Sequence, residues 1–375
     1  MNSFKKSRRL FLISFIIICF ASVQVPFADG LNIPTAHYGI SFGNSKYFNG
    51  LRINFSDRNV KQINGINITL WRALHNQQAK VRGISIGLIA PDAGSLRGIN
   101  IGGLGVAGDQ EVCGFSAGLL GVGSGGRVRG IAMGGLGVGA GGSITGIVFG
   151  GLGAGAEGNV KGVGVGGLGV GSNGNVAGIM IGGLGAGAQG NFTGIGIGGL
   201  GVGAGGDMTG ILFGGLGAGC SGNLNGVALG GLGVGASGNF NGLGAGLVGV
   251  GAGGNMTGLF IGGVGVGAKG LMRGVFSGGL GIRSENGEGL FLSLLQNKMQ
   301  VFKGMTIAAG MNDILPDGRF SGFAAGAFNR VRGRQTGISI GILNIARELK
   351  GLQIGLINYA GDNPPGLKVL PVVNF

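Results

Sequence analysis

Three arginines near the carboxyl end are the clearest candidates for a charged functional surface. Arg330, Arg332 and Arg334 are spaced by two residues, so on a β-strand their side chains project to a single face. One interpretation is a solvated edge or loop. The functional hypothesis is a basic stripe that lines a lumen or meets anionic lipid head groups.

Residues for catalysis or cofactor binding do not form a pattern with defined chemistry. His37 and His75 are the two histidines, and both are far from acidic residues along the chain, so we expect no metal site. Gly-x-Gly-x-x-Gly strings are frequent because 96 of the 375 residues are Gly. None of them opens a helix that is followed by an acidic residue, as a dinucleotide site requires. We therefore expect that the protein is not an enzyme and that it binds no cofactor.

The charge distribution argues against nucleic-acid binding. Between Gly98 and Gly289 there are six basic and six acidic residues, although the whole chain has a formal net charge of +14. The surplus positive charge lies in the regions on either side of this segment. A nucleic-acid groove needs a continuous basic stripe with stacking aromatic residues, and neutral central sequence does not supply one.

Composition excludes several structural classes. Collagen requires Gly at every third position and abundant Pro, whereas this chain has 7 Pro. Disorder is typical of weakly hydrophobic chains, and 44% of these residues are hydrophobic while 11% are charged. Glycine in helix interiors costs about 1 kcal/mol per residue relative to Ala. The sequence therefore predicts an all-β protein.

The amino-terminal segment has the layout of a secretory signal. Basic residues at Lys5–Arg9 precede an apolar run at Leu10–Val23, and Ala28 ends the segment with a small residue before Asp29. The run is too short for a membrane-spanning anchor. We expect residues 1–28 to be removed and the protein to reach the outer membrane or cell surface of a bacterium.

A repeat of sixteen residues dominates the rest of the sequence. Its consensus is G-I-x-I-G-G-L-G-V-G-A-x-G-N-x-x, whose positions are called columns 1 to 16, and one unit is Gly146–Lys161. The repeat divides the chain into divergent β repeats at 29–97, a glycine-rich array at 98–289 and carboxyl-terminal β repeats at 290–375. Units of the array begin at Gly98, Gly114, Gly130, Gly146, Gly162, Gly178, Gly194, Gly210, Gly226, Gly242, Gly258 and Gly274.

Turn signals favour an antiparallel meander. Gly-Asn pairs such as Gly158-Asn159 occupy columns 13 and 14, and both residue types tolerate positive φ in tight turns. About 12 residues then remain for a strand, which when tilted spans roughly the apolar thickness of an outer-membrane barrel. We expect a closed, barrel-like sheet with columns 7, 9 and 11 on one face and columns 2 and 4 on the other.

Column sizes alternate with a longer period of two units. Column 3 is small in one unit and large in the next, as in Val148 followed by Gly164, and column 9 alternates in the opposite sense. In the meander, column 3 faces column 9 of both neighbouring strands. Val148 would then contact Val138 and Val170, while Gly164 would lie between alanines of the adjacent units.

The alternative fold is a parallel β-solenoid with one coil per unit, in which each column stacks on itself. Large residues lie at columns 2 and 4 and then at columns 7, 9 and 11. This change of phase is what a corner at the Gly-Gly pair would produce. Both folds remain open at this point.

The carboxyl-terminal region carries a second motif, G-φ-x-φ-G-φ-φ-N, at Gly337–Asn344 and Gly351–Asn358. The chain ends with Val373, Asn374 and Phe375, and a terminal aromatic residue preceded by an apolar one is typical of the assembly signal of an outer-membrane strand. On these residues the chain resembles the bacterial surface-repeat-containing proteins. The resemblance implies a cell-envelope location and a repetitive β fold, and it implies no activity.

Two functions from different classes follow. The first is an outer-membrane, barrel-like protein with a structural or pore-type role, whose partners are membrane lipid and the outer-membrane assembly machinery. The second is a secreted or surface-attached glycine-rich solenoid that acts as an adhesin or surface-coating module.

Overall fold

The computed structural model describes residues 30–375, and these form 31 strands and no helix. The predicted signal segment at 1–28 lies outside the described residues. The strands are β1 Leu31–Pro34, β2 Tyr38–Phe42, β3 Tyr47–Asn54, β4 Gln62–Thr69, β5 Lys80–Gly87, β6 Asp92–Gly102, β7 Gly105–Gly118, β8 Gly121–Ser124, β9 Arg127–Gly134, β10 Gly137–Ala140, β11 Ile144–Gly150, β12 Gly153–Ala156, β13 Val160–Gly166, β14 Gly169–Ser172, β15 Val176–Gly182, β16 Gly185–Ala188, β17 Phe192–Gly198, β18 Gly201–Ala204, β19 Met208–Gly214, β20 Gly217–Cys220, β21 Leu224–Gly230, β22 Gly233–Ala236, β23 Phe240–Gly246, β24 Gly249–Ala252, β25 Met256–Gly262, β26 Gly265–Ala268, β27 Leu271–Gly278, β28 Gly281–Arg283, β29 Asn286–Ser293, β30 Gln296–Ala360 and β31 Val369–Asn374.

Each unit of the array forms one coil with a long and a short strand. In the unit at Gly146 these are β11 and β12. β11 pairs with β13 in parallel and places Gly146 opposite Gly162, while β12 pairs with β14 in parallel and places Gly153 opposite Gly169. Equivalent columns therefore stack on one another from coil to coil, at the roughly 4.8 Å spacing of paired strands.

The architecture is a parallel β-solenoid, so the alternative fold is confirmed and the antiparallel, barrel-like closed sheet is wrong. A meander reverses the chain once per unit. This coil instead turns twice, at Gly151–Leu152 and at Glu157–Asn159, so the chain direction is restored in each unit. The Gly-Asn pairs lie at solenoid corners and not in hairpin turns, and none of them has a positive φ in the array.

The first corner also changes which side chains point inward. Columns 3, 5, 9, 11 and 15 face the core, as Val148, Ala154 and Val160 show, whereas Ile147 and Leu152 are exposed. The prediction that columns 7, 9 and 11 share one face is therefore wrong for column 7. The Gly-Gly corner shifts the alternation, so column 7 faces outward and column 9 faces inward.

The alternation in size fills the core within each coil. A Cβ atom built on Gly164 would lie 2.9 Å from Val170 Cγ1, in the same coil, and 2.8 Å from Met180 Sδ, in the next one. Column 3 thus faces column 9 of its own coil and stacks on column 3 of its neighbours. The contacts expected from the meander, with column 9 of the adjacent units, are replaced by this packing. A small residue at one column compensates a large residue at the other.

Glycine at column 1 is imposed by backbone geometry. Gly146 has φ of +130° and Gly162 has φ of +124°, a region that L-residues with a Cβ rarely adopt. A Cβ on Gly146 would also overlap the carbonyl oxygen of Gly130 in the preceding coil. The same stack continues past the array through Gly304, Gly322 and Gly337, each of which has positive φ.

The second corner of the array is stabilised by an external ladder of side chains at column 14. The backbone N–H of Asn175 donates to Asn159 Oδ1 at 2.7 Å, and the N–H of Asn191 donates to Asn175 Oδ1 at 2.8 Å. The ladder continues coil by coil to Leu271, whose N–H donates to Asn255 Oδ1. Asparagine is therefore used here to satisfy the corner backbone of the next coil.

A second ladder lies inside the carboxyl-terminal core. Its rungs are the asparagines at the end of the G-φ-x-φ-G-φ-φ-N motif and their equivalents. Asn312 Nδ2 donates to Asn329 Oδ1, Asn329 Nδ2 to Asn344 Oδ1, and Asn344 Nδ2 to Asn358 Oδ1, each at 2.8 Å. All of these asparagines are buried.

Both ends of the solenoid are covered by an antiparallel strand. β1 pairs with β2, and β31 pairs with the last part of β30. Within residues 30–375 these are the two antiparallel pairs. An unpaired terminal coil would expose a row of backbone donors and acceptors. β1 and β31 pair with part of that row at each end, and they are called caps in this sense.

Candidate binding surfaces

The most extensive surface feature is an apolar face, formed by the outward side chains of columns 2, 4 and 7 in the twelve coils from Gly98 to Gly274. These positions carry Ile, Leu, Val, Phe, Met or Ala, with the exception of Ser277. In one coil, Ile147, Phe149 and Leu152 are 37%, 40% and 51% exposed. Twelve coils extend roughly 55 Å, so the face exceeds the few hundred Å² typical of apolar patches on soluble monomers.

The apolar face is shaped into grooves beside the Gly-Gly corner. One groove of about 650 Å³ is lined by Ile197, Phe213, Leu229 and Ile261 together with corner glycines. A second, of about 690 Å³, repeats the arrangement nearer the amino terminus. The corner glycines at columns 5 and 6 lack side chains, so the groove runs beside the row of column 4 side chains. The exposed column 7 side chains, which follow the corner, form a separate ridge.

A row of side chains, called the basic row for the Lys and Arg near its two ends, runs along one border of the apolar face. It occupies column 16, next to the column 2 side chains on the same long strand, and its stacking follows the parallel register of the coils. Between Lys161 and Arg273 the row carries Ala177 and neutral polar side chains, and it also contains Cys113 and Glu288. Arg97 and Arg273 are paired with Glu111 and Glu288. Its basic members are Arg82, Arg97, Arg129, Lys161, Arg273 and Lys303, all of them exposed.

The opposite sheet presents bare backbone. Columns 8 and 10 of the short strands are glycine in most coils and point outward. The Cβ of a side chain at Gly171 would meet no heavy atom within 4 Å, and its φ is not positive. Column 10 glycine is therefore not required by the fold, in contrast to column 1.

The predicted arginine stripe lies on the outside of a filled solenoid. Arg330 and Arg332 both bind the buried carboxylate of Asp313, with Arg330 Nε at 3.0 Å from Asp313 Oδ1 and Arg332 Nη2 at 3.1 Å from Oδ2. Arg334 pairs with Glu348 at 2.9 Å. The side chains do share one side of the chain, but the ion pairs neutralise much of their charge, and the filled core leaves no lumen for them to line.

A related cluster near the start of the array was not predicted. Glu111 is buried, and it accepts hydrogen bonds from Arg97 Nε, from Arg127 Nε at 3.0 Å and from the Ser95 hydroxyl at 2.9 Å. Burial alone would raise the pKa of Glu111, but these three donors outweigh it and lower the pKa to about 2. Glu111 is therefore ionised at neutral pH.

The sequence held a signal for this cluster. When four consecutive coils are aligned on column 1, their charged and polar residues fall into two columns. Column 14 holds Lys80, Ser95, Glu111 and Arg127, and column 16 holds Arg82, Arg97 and Arg129. Parallel stacking brings them together. A meander model separates these positions, and for that reason the cluster was missed.

The remaining candidates show no assembled chemistry. Among residues 30–375, no three His, Cys, Asp or Glu side chains lie close enough to share a metal ion, and Cys113 and Cys220 are free thiols. In the same range, no helix has the length and apolarity needed to traverse a bilayer. Trp71 stacks on Phe55 with ring centroids 6.4 Å apart.

The predicted assembly signal lies in the terminal cap. Val373 pairs with Ile354 across the antiparallel β30–β31 ladder. Phe375 follows the strand and is 81% exposed. Between them, the buried Asn374 donates its Nδ2 to the carbonyl oxygen of Asn358 at 3.3 Å, so it continues the internal ladder. A role of Val373 and Phe375 in assembly remains a prediction.

The fold and surfaces define a capped, glycine-rich parallel β-solenoid with one apolar outer face. Comparisons with protein-family models, curated protein sequences and solved structures found no match to this chain.

Proposed function

We propose that the protein is an exported, non-catalytic surface module of the bacterial envelope, which lies along an anionic lipid surface with its apolar face against it. The observation that carries the proposal is the apolar face of columns 2, 4 and 7, which Ser277 alone interrupts. In this role the solenoid is a coating or adhesion element, and its length gives it many weak contacts in a row.

Apolar area supplies the main driving force. Side chains such as Ile147, Phe149 and Leu152 are about 40–50% exposed, so the twelve coils together expose on the order of 1,000 Å² or more of apolar surface. Burial of apolar surface is worth roughly 25 cal/mol per Å². Partial insertion into the boundary between head groups and acyl chains would recover part of this free energy.

The basic row fits anionic lipid next to that face. Arg129 and Lys161 lie at column 16 beside the apolar face, Lys303 lies at column 16 beyond its last coil, and all three are exposed. A Lys or Arg close to an anionic lipid surface contributes about 1 kcal/mol. Positive charge on the border of an apolar face is the arrangement expected of a protein that lies in a lipid interface, since the charges stay among the head groups while the apolar side chains reach deeper.

A pore-type role has no support in this architecture. Core side chains such as Met180, Phe192 and Phe260 are fully buried, so the coils enclose packed side chains. The surface-module hypothesis is the one that the solenoid fold favours.

The direct test is binding of the full chain to vesicles. Co-sedimentation should show strong binding to vesicles with phosphatidylglycerol and weaker binding to phosphatidylcholine alone, with a decrease at high salt. The triple variant Leu168→Gln, Leu184→Gln, Leu200→Gln removes three successive column 7 ridge residues and should lower the bound fraction at least tenfold.

The matched control changes polar residues at the second corner of the same coils. Asn173→Ser with Gln189→Ser should leave vesicle binding unchanged. Circular dichroism should report the same strand content for all variants. Wild-type protein that stays in the supernatant with both vesicle types, or equal binding of the ridge variant, would contradict the proposal.

Export is proposed from the segment before the described residues. Intact-mass measurement of envelope-associated protein should place the mature amino terminus near Asp29. Retention of Met1 on that material would contradict cleavage of a signal.

Use of the terminal residue by the assembly machinery needs a separate test. If Phe375 belongs to an assembly signal, deletion of Phe375 should lower the amount of protein in the outer membrane and leave transport across the inner membrane intact. Because Phe375 is largely exposed in the cap, its deletion should leave the solenoid folded, and an unchanged outer-membrane yield would remove the hypothesis.

A further inference from the structure

A cavity of about 470 Å³ opens between the coils that carry the Glu111 cluster. Its lining includes Lys80, Arg82, Arg97 and Arg127, and Glu111 is the one acidic residue among the lining side chains. Four positive charges therefore face one negative charge. A volume of this size lies within the range of small-molecule sites.

The two arginines are positioned by the buried carboxylate. Arg97 and Arg127 each direct Nε at Glu111, and Ser95 donates to Glu111 Oε1 at 2.9 Å. Because the pKa of Glu111 is lowered to about 2, this anchor stays charged over the physiological range. The guanidinium groups are thereby held at the wall of the cavity by an internal group.

The other two basic residues supply charge that the protein does not neutralise. Across residues 30–375, Lys80 and Arg82 have no carboxylate within ion-pair distance. They lie on β5, and the register places Lys80 beside Ser95 and Arg82 beside Arg97. Mutual repulsion of these side chains is relieved when an anion binds between them.

We propose that this cavity binds a phosphate group. Arg presents planar, forked donors that match phosphate oxygens, and Lys adds a point charge. Gly126 and Gly142, which lie at column 13 in the second corner of their coils, also line the cavity. Because they have no side chains, a ligand can approach the backbone there. The phosphate can be carried by a soluble compound or by a lipid head group, and the cavity's chemistry is common to both.

The cluster at the other end of the chain shows what distinguishes this one. Arg330 and Arg332 share the buried Asp313 in the same way, which leaves a single surplus charge. At the Glu111 cluster, Lys80 and Arg82 raise the surplus to three. Surplus charge in a cavity marks a binding site, whereas the Asp313 cluster is closer to a balanced structural ion pair.

The test is calorimetric titration of the full chain with inorganic phosphate and with pyrophosphate at constant ionic strength, and chloride as the reference anion. Wild-type protein should bind pyrophosphate more tightly than phosphate. The double variant Lys80→Gln, Arg82→Gln removes two charges without touching Glu111, and it should weaken binding by on the order of tenfold to a hundredfold.

The matched control is Lys161→Gln with Lys303→Gln, which removes the same charge from the basic row outside the cavity. It should bind pyrophosphate like the wild type. Equal weakening by both double variants would show that diffuse charge attraction holds the anion, and it would contradict the proposed site. The proposal would also be wrong if no phosphate probe bound saturably, including vesicles that contain phosphatidic acid.

The two sources of phosphate separate in a third arm. Saturable binding of inorganic phosphate or pyrophosphate indicates a soluble ligand. Binding to phosphatidic acid vesicles without saturable binding of soluble phosphate indicates a lipid head group, provided that it is lost in Lys80→Gln, Arg82→Gln and kept in Lys161→Gln, Lys303→Gln. The site does not depend on the proposed function, because the column 7 ridge variant should keep binding to pyrophosphate even where it loses vesicles.

Discussion

The glycine-rich array and the carboxyl-terminal coils share one backbone architecture and differ in the chemistry of their cores. In the array, core columns 3 and 9 are filled by apolar side chains whose volumes compensate, as at Gly164 and Val170. In the carboxyl-terminal coils column 9 is instead taken by buried asparagines, of which Asn297 stacks on Ile282 of the array. Asn329 and Asn344 continue this row. The column 1 glycine is present in both, so the coil depends on that glycine and on parallel register more than on a particular core.

The difference follows the regularity of the repeat. From Gly98 to Gly274 the column 1 glycines are sixteen residues apart, so each residue stacks directly on its equivalent in the next coil. From Gly304 to Gly351 the column 1 glycines are separated by 18, 15 and 14 residues, and the strand register must be fixed another way. An asparagine ladder loses hydrogen bonds when one coil slips, and a buried polar group without a partner is costly. We infer that the ladder holds the register where the unit length varies.

The largest expected effect tests what the two regions share. Gly178→Ala in the array and Gly337→Ala in the carboxyl-terminal coils should each lower the free energy of unfolding by more than about 4 kcal/mol, because backbone strain adds to steric overlap. Both glycines have positive φ, and a Cβ on either would overlap the carbonyl oxygen of the preceding coil. Denaturant unfolding and hydrogen exchange of the surrounding coils would measure the loss.

The matched control is Gly171→Ala at column 10, where a Cβ meets no heavy atom within 4 Å. This change should shift stability by less than about 0.5 kcal/mol. Two results would mean that the two regions do not share the same coil. One is a large loss of unfolding free energy in Gly171→Ala, and the other is a stable Gly337→Ala variant when Gly178→Ala is strongly destabilised.

The second effect separates the two cores. Asn344→Leu removes a donor to Asn358 Oδ1 and an acceptor for Asn329 Nδ2, and should cost about 2–3 kcal/mol because neighbouring rungs are left unsatisfied. In the external ladder, Asn191→Ala removes one acceptor at an exposed corner and should cost about 1 kcal/mol. Equal losses in thermal unfolding would contradict the internal ladder as the register device.

Much of this architecture could be read from the sequence, since the all-β class, the sixteen-residue unit and the compensating columns 3 and 9 are visible in it. Strand direction was misjudged because Gly-Asn at columns 13 and 14 fits a hairpin turn as well as a solenoid corner. Only the stacked coils show that Asn159 receives the N–H of Asn175. The Glu111 cavity was missed for the same reason, since it exists only when columns 14 and 16 stack in parallel.

A double-mutant cycle tests the packing of the array core. Gly164→Leu should overfill the core and cost about 1–3 kcal/mol. Val170→Gly in the same coil should relieve part of this, and so should Met180→Ala in the next coil, with coupling above about 0.5 kcal/mol in each case. Val234→Gly, several coils away, is the control and should not couple. Coupling to Ala154 and Ala186 without coupling to Val170 or Met180 would revive the antiparallel model.

The smallest effect concerns Glu111, the acidic residue with the largest lowering of pKa in the described part of the chain. Glu111 lies at the border between the polar amino-terminal coils and the neutral array. Hydrogen bonds from Arg97, Arg127 and Ser95 lower the pKa of Glu111 from 4.5 to about 2. The folded-state pKa lies below the unfolded value, so this carboxylate contributes stability that is fully present above about pH 4.5 and is lost as the pH falls towards 2. Because its arginine partners are half exposed, we expect this contribution to the free energy of unfolding to be on the order of 1 kcal/mol.

Hydrogen exchange between pH 5 and 2.5 should show coils around Glu111 losing protection before those around Met208. In Glu111→Gln this pH dependence should disappear, while Glu157→Gln, at an exposed corner, serves as the control. Uniform loss of protection along the solenoid in both variants would assign acid sensitivity to total charge and not to this carboxylate.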